Sequence, residues 1–253
     1  MKLDFFDANV YIGRPMRTVL RPVRNSAELL AEMDRAGIEK SLVWHIAEHD
    51  AGPMDGNRLT SREISGQERM LGCWAILPPR TREVIDRGFF RQMKQNRIAA
   101  LRAFPHLHNF LLNRVTFGKF LDEVSERKIP LLLSVQSQRN VSWSEIYDLV
   151  KEFPKLTCII CDVGDWSPNR YTWPLLENYP NVYLETSGVS VVEGCLEDTA
   201  REFGAKRLVF GTSLPEKYPD AAMLQLIHAD IPDADKKKIA SGNLEKIIDR
   251  IEL

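Results

Sequence analysis

A (β/α)8 TIM barrel, an α/β fold possibly distorted and with an extended loop after its second strand, is the architecture this sequence predicts. Eight short apolar runs alternate with helical patterns along 253 residues, which is the arithmetic of that barrel. Several of the runs are nearly continuous in apolar residues, as strands buried on both faces require. No internal repeat, low-complexity tract or linker interrupts them, so the expectation is a single domain over residues 1–253. A doubly wound open sheet is the competing fold, but no glycine-rich dinucleotide fingerprint follows any of the runs.

The strand expectations, in order, are Leu3–Phe6, Ser41–Ile46, Leu71–Leu77, Ile98–Phe104, Leu131–Val135, Thr157–Cys161, Val182–Glu185 and Leu208–Phe210. Between them, Phe117, Phe120, Leu121 and Val124 recur at helical spacing. Ile146, Leu149, Val150 and Phe153 do the same, opened by a Ser142-x-x-Glu145 capping box. Shorter stripes are Leu196–Phe203 and Leu244–Ile251. Gly37 and Gly204 sit where helices should stop. The stretch Ala47–Gln67, with Gly52-Pro53 and Asp55-Gly56-Asn57, reads as an extended loop holding a short helix, placed over the C-terminal mouth.

Composition excludes several function classes. Thirty-four basic side chains face thirty-five acidic ones, a balance unlike that of a nucleic-acid binder. No apolar run approaches the ~20 residues of a membrane span. An acid at Asp4 comes too early for a secretory signal, and four cysteines are too few for a disulfide framework, so the expectation is a cytoplasmic protein. Homo-oligomerisation is compatible with the sequence. Cys158-x-x-Cys161 falls in a strand, where positions three apart face opposite sides, and so reads as two buried thiols rather than a redox pair.

Ordered marks along the chain carry a family resemblance. They are Phe6-Asp7-Ala8-Asn9-Val10-Tyr11-Ile12-Gly13, Arg102-Ala103-Phe104-Pro105, the run Lys128–Ser134, and Cys161-Asp162-Val163-Gly164. Asn181–Gly188, Val209–Pro215 and Ile239–Asn243 follow. Together the chain resembles the amidohydrolase superfamily, in the branch of aminocarboxymuconate semialdehyde decarboxylase and pyrone dicarboxylate lactonase. The resemblance implies a metal at the barrel mouth, held by a His-x-His pair on strand 1, a His each on strands 5 and 6, and an Asp on strand 8. Here those positions read Asn9 and Tyr11, Ser134, Asp162 and Ser213. The expectation is therefore no metal and no other cofactor, with a polar pocket of Asn9, Tyr11, Ser134, Gln136, Asp162 and Ser213 left at the mouth.

Other candidates come from the residues themselves. His45 closes strand 2 and is the expected proton-transfer partner of Asp162; a hydrogen-bonded rim histidine is the alternative. His106-x-His108 reads as a loop-packing pair, and His49 lies in the loop after strand 2. Arg14, Arg17, Arg21 and Arg24 crowd the loop after strand 1, where guanidinium groups suit a carboxylate or phosphate; a merely solvated basic segment is the competing reading. Arg102, ending strand 4, is the other anion candidate. Two functions follow as expectations. One is a metal-independent hydrolase or decarboxylase of a small carboxylate-bearing molecule. The other is an inactive barrel that binds a small anionic ligand or a protein partner.

Overall fold

The computed structural model describes residues 2–135, 141–163, 169–191 and 193–253. Eight parallel strands form one sheet in sequence order. They are β1 (Phe5–Ile12), β2 (Ile38–His45), β3 (Met70–Ala75), β4 (Ile98–Arg102), β5 (Leu131–Ser134), β6 (Cys158–Cys161), β7 (Val182–Glu185) and β8 (Leu208–Val209). The ring is completed beyond β8. The Ala8 N–H donates to the Phe210 carbonyl and the Tyr11 N–H to the Leu214 carbonyl, both at 3.0 Å. The TIM barrel is therefore the observed fold.

Alternation along the strands sorts side chains into two apolar layers. Leu42, Trp44, Cys73, Ala75, Ile159 and Cys161 fill the barrel interior. Val43, Trp74, Leu131, Leu133, Cys158 and Ile160 face the helices. The cysteines of the Cys-x-x-Cys run thus lie on opposite faces, and all four cysteines are free.

The helices that cover the barrel start and stop on legible signals. Helix α1 (Ser26–Ala36) is opened by Asn25, whose side chain accepts the Glu28 N–H, and closed by Gly37 at φ 81°. The helix Arg114–Glu126 buries the Phe117–Val124 stripe. The helix Trp143–Glu152 carries the complete capping box of Ser142 and Glu145. The helix Cys195–Phe203 ends at Gly204, φ 82°. Among the described residues, no helix is long and apolar enough to cross a membrane.

Two expectations need correction. The first strand is longer than Leu3–Phe6 and runs to Ile12, fully buried throughout. Asp7 and Asn9 broke the apolar pattern; both are buried because their polar atoms are satisfied by hydrogen bonds. The Ala47–Gln67 stretch is not an extended loop. It folds into α2 (Ala47–Asp50) and α3 (Pro53–Ile64). Pro53 begins α3, where its missing N–H costs nothing. Gly56 lies inside the helix because a Cβ there would stand 2.2 Å from the Glu48 backbone nitrogen. A glycine read as a turn signal is instead the contact point of two helices.

Helix α3 is also locked to the sheet. The Asn57 amide donates to the Ala75 carbonyl at 2.9 Å and accepts the Ala75 N–H at 2.8 Å, finishing β3 as a neighbouring strand would. Replacing Asn57 by Ala would leave both buried backbone groups unpaired, at about 1–3 kcal/mol each. Urea unfolding of Asn57→Ala is expected to show a loss of at least about 2 kcal/mol with an unchanged denaturant slope.

Candidate functional site at the barrel mouth

The ends of β1, β2, β4, β5 and β6, with the segment after β8, enclose a cavity of about 350 Å³. Asn9, Tyr11, Arg17, Arg102, Ser134, Asp162 and Ser213 all line it. Seven of the sequence-derived site residues thus converge. Arg14 does not: it is exposed and borders a separate surface hollow with Arg24. His45 also stays out of the lining; its Nδ1 accepts the Ala47 N–H at 3.1 Å, which ties the ring to the start of α2. Burial lowers the pKa of this imidazole. Gln136 lies outside the described residues.

Asn9 is the hub of the floor. Its irregular strand position, within the register shift between Asp7 and Val10, turns the amide toward the strand ends of the opposite side. The Arg102 guanidinium donates from Nη2 to Asn9 Oδ1 at 2.8 Å. That bond fixes which end of the amide is which. Nδ2 then donates to Asp162 Oδ1 at 2.9 Å, to Ser213 Oγ at 3.1 Å and to Glu185 Oε2 at 3.2 Å. Asp162 also accepts from Ser134 Oγ at 2.6 Å and from the Ser213 hydroxyl. Asp162 and Ser213 both sit at positive φ, 58° and 57°, an uncommon conformation for residues with a Cβ. Such strain persists only where the surroundings hold it, and it coincides here with two floor residues.

Arg102 is 1% exposed. It projects inward because Leu101 faces the helices, and its guanidinium carbon lies 4.6 Å from the centre of the Trp44 ring. Its Nε has no hydrogen-bond partner among the described residues. Above it, Tyr11 packs on Trp44 at 5.2 Å, and burial pushes its phenol up to about 12. Arg17 reaches the rim and pairs with Glu216.

Three buried carboxyls lie beneath and beside this floor; Glu185 is legible in the sequence as a strand-end carboxylate, whereas Asp7 and Glu48 are not. Glu185, bonded by the Ser187 hydroxyl at 2.8 Å, is raised to about 7 by burial and by the charge of Asp162. Asp7 holds Thr212 through its N–H at 3.0 Å and its hydroxyl, clipping β1 to the chain beyond β8; burial raises it to about 6. Glu48 of α2 accepts the Thr60 hydroxyl, has no hydrogen-bond partner for Oε2 among the described residues, and is raised to about 8 by burial. Trp44, His49 and Asp50 complete the wall and were not among the expected site residues. The adjacent His-Asp pair after strand 2 was the available signal for the last two.

Among the described residues, no group of three or more His, Cys, Asp and Glu side chains is placed to hold a metal ion. His106 instead meets Glu145 at 2.7 Å, and the His108 ring packs edge-on to Phe104, as loop-packing residues do.

Comparison with known proteins follows this geometry. The family model described as amidohydrolase matches residues 22–250. No curated protein matches the chain by sequence. Among solved structures, a 2,6-dihydroxybenzoate decarboxylase in complex with 2,6-dihydroxybenzoate is similar at 18% identity and a TM-score of 0.75, over 98% of this chain and 99% of that one. A dihydroxybenzoic acid decarboxylase from Polaromonas with bound manganese and 2-nitroresorcinol is similar at 16% identity and 0.74, over 98% and 97%. A probable 2-pyrone-4,6-dicarboxylic acid hydrolase from Acinetobacter baumannii with citric acid bound is similar at 12% identity and 0.72, over 98% and 100%. At these identities the likeness is one of fold.

The three raised carboxyls make stability depend on pH in one direction. An unfolded glutamate releases its proton near 4.5, whereas folded Glu48 keeps it to about 8. Between these values the folded state binds more protons, so its stability falls as pH rises. The contribution is fully present below pH 4.5 and lost through pH 8; Asp7 and Glu185 act in the same sense up to about 6 and 7. Urea unfolding across pH 5–9 is expected to show this fall, and a shallower one in Glu48→Gln, which keeps the acceptor for Thr60. Parallel curves for the two proteins would contradict the assignment.

Proposed function

The chain belongs to the amidohydrolase family, and from that membership we propose that it binds a small carboxylate-bearing molecule at the barrel mouth and acts on it without a metal, by hydrolysis or C–C bond cleavage. The observation that carries this reading is Arg102, a buried guanidinium in the cavity with Nε unpartnered. A guanidinium stays charged at any working pH, and its planar fork matches a carboxylate. An anion seated in the cavity would meet the Arg102 guanidinium on its lining, with Arg17 at the rim as a second cation.

The floor does not suit a divalent cation. At the strand ends where a metal would be held stand an amide, a phenol, two hydroxyls and one carboxylate. Transition metals need several His, Cys or carboxylate donors converging on one point. Here the Asn9 N–H groups point at the oxygens of Asp162 and Glu185, and Arg102 holds the amide in that orientation. A cation would have to displace donors that already satisfy those carboxylates. Arg102 therefore supplies the positive charge of the mouth, and Asp162 with Ser134 and Ser213 presents a carboxylate–hydroxyl surface to the bound molecule. Binding without turnover is the second reading. It is favoured by the hydrogen bonds that Asp162 already accepts from three side chains.

The test uses chelator-treated protein and three probes: 2,6-dihydroxybenzoate, citrate and, as an uncharged control, resorcinol. Calorimetric titration is expected to show binding of at least one carboxylate and none of resorcinol. Arg102→Met, with folding checked by circular dichroism, should weaken that binding by about 2–5 kcal/mol, since the ligand's charge is left unpaired in a desolvated site. Added manganese should leave affinity unchanged. Release of carbon dioxide from 2,6-dihydroxybenzoate, measured in the same samples, separates a decarboxylase from a binding protein. Unchanged affinity in Arg102→Met, or binding that appears only with manganese, would overturn the proposal.

A further inference from the structure

The cavity wall carries a second polar pair, separate from the Asn9–Asp162 floor. His49 and Asp50 end α2, and both line the cavity. The His49 Nδ1 lies 2.7 Å from Asp50 Oδ1. The other oxygen of Asp50 accepts the Met16 N–H at 2.6 Å, so the carboxylate is held from the loop after β1. The His49 ring stands at 90° to Phe104, with centroids 5.1 Å apart. Ring, carboxylate and backbone donor thus fix one another.

This arrangement decides which nitrogen is left to act. A neutral imidazole next to a carboxylate places its proton on the nitrogen that faces the oxygen. That nitrogen is Nδ1, so Nε2 keeps its lone pair. Nε2 has no hydrogen-bond partner among the described residues, and the His49 side chain is 23% exposed. A purely structural staple between α2 and the loop needs only the Asp50 bond to Met16. It does not need an oriented imidazole on the cavity wall.

We propose that His49, oriented by Asp50, is the group that exchanges a proton with the molecule bound at the barrel mouth, in place of His45. Asp50 is the positioning residue. The proposal rests on the reading of this cavity as a carboxylate site, which supplies the bound molecule. In the forward step an O–H bond of the ligand, or of a water beside it, breaks as the Nε2–H bond forms. The oxygen keeps the electron pair, and the Asp50 carboxylate balances the imidazolium charge. The reverse step breaks the Nε2–H bond and delivers the proton to the atom that keeps the electron pair of the cleaved bond. Tyr11, Arg17 and Glu216 face the same cavity, and the His108 Nε2 meets the His49 backbone carbonyl at 3.4 Å.

Nitrogen-15 NMR of histidine-labelled protein tests this directly. In the free protein, His49 is expected as the Nδ1–H form with a bare Nε2. Asp50→Ala should shift it mainly to the Nε2–H form. Saturating 2,6-dihydroxybenzoate should move the Nε2 resonance of His49 and leave His228 in place. The proposal is overturned if His49 carries its proton on Nε2 and Asp50→Ala changes nothing, or if the probe binds and the Nε2 resonance does not move. If the probe fails to bind, the carboxylate reading falls by itself, and the tautomer of the free protein with its response to Asp50→Ala decides whether the dyad stands.

Discussion

A guanidinium shut inside a barrel must be answered by charge and by hydrogen bonds, and the mouth of this protein is arranged around that requirement. Arg102 is almost wholly withdrawn from water. An isolated ion in such a place is expensive, and removing its partners leaves the cost unmet. The Asn9 amide transmits the answer: its oxygen takes the Arg102 donor, and its nitrogen gathers Asp162, Glu185 and Ser213 from three other strand ends. One side chain thereby couples β1, β4, β6, β7 and the segment beyond β8. The Trp44 ring, 4.6 Å from the guanidinium carbon, adds a second, softer stabilisation.

The same requirement explains the unusual state of the buried acids. Burial pushes Glu48 to about 8 and Glu185 to about 7, so their neutral forms persist near neutral pH, while Asp7, raised to about 6, keeps its proton only on the acid side. A site with every one of these carboxyls ionised would gather negative charge in a low dielectric. Raised acids relieve part of that excess without any change of sequence. The mouth is therefore polar in content while some of its carboxyl charge is withheld.

Much of this architecture was legible because it is periodic. Stripes such as Phe117–Val124 and caps such as Ser142-x-x-Glu145 follow from repeating geometry, and they fold as expected. Convergence of Asn9, Tyr11, Ser134, Asp162 and Ser213 followed from strand alternation combined with the family resemblance. What escaped was what only three-dimensional contact reveals. The end of β1 was hidden because buried Asp7 and Asn9 look like a break until their partners are known. Helix α3 was hidden behind Gly56, whose role is proximity rather than turning. His45 was favoured over His49 because it closes a strand, yet its Nδ1 is taken by the Ala47 N–H and the residue stays out of the cavity lining. Glu48 gave no signal, since a lone acid in a polar stretch is ordinarily a surface residue.

Gly56 touches no part of the cavity, yet it sets how near α3 comes to α2 at Glu48. Helix α2 carries His49 and Asp50, so the width of the mouth on that side is governed by the absence of one methyl group behind the wall. A side chain there would push against backbone, which yields as a unit, and the whole helix would travel with it. Divergence in ligand size among related barrels thus has a route that leaves every ligand-facing residue untouched: a change of bulk at the back of the wall moves its front.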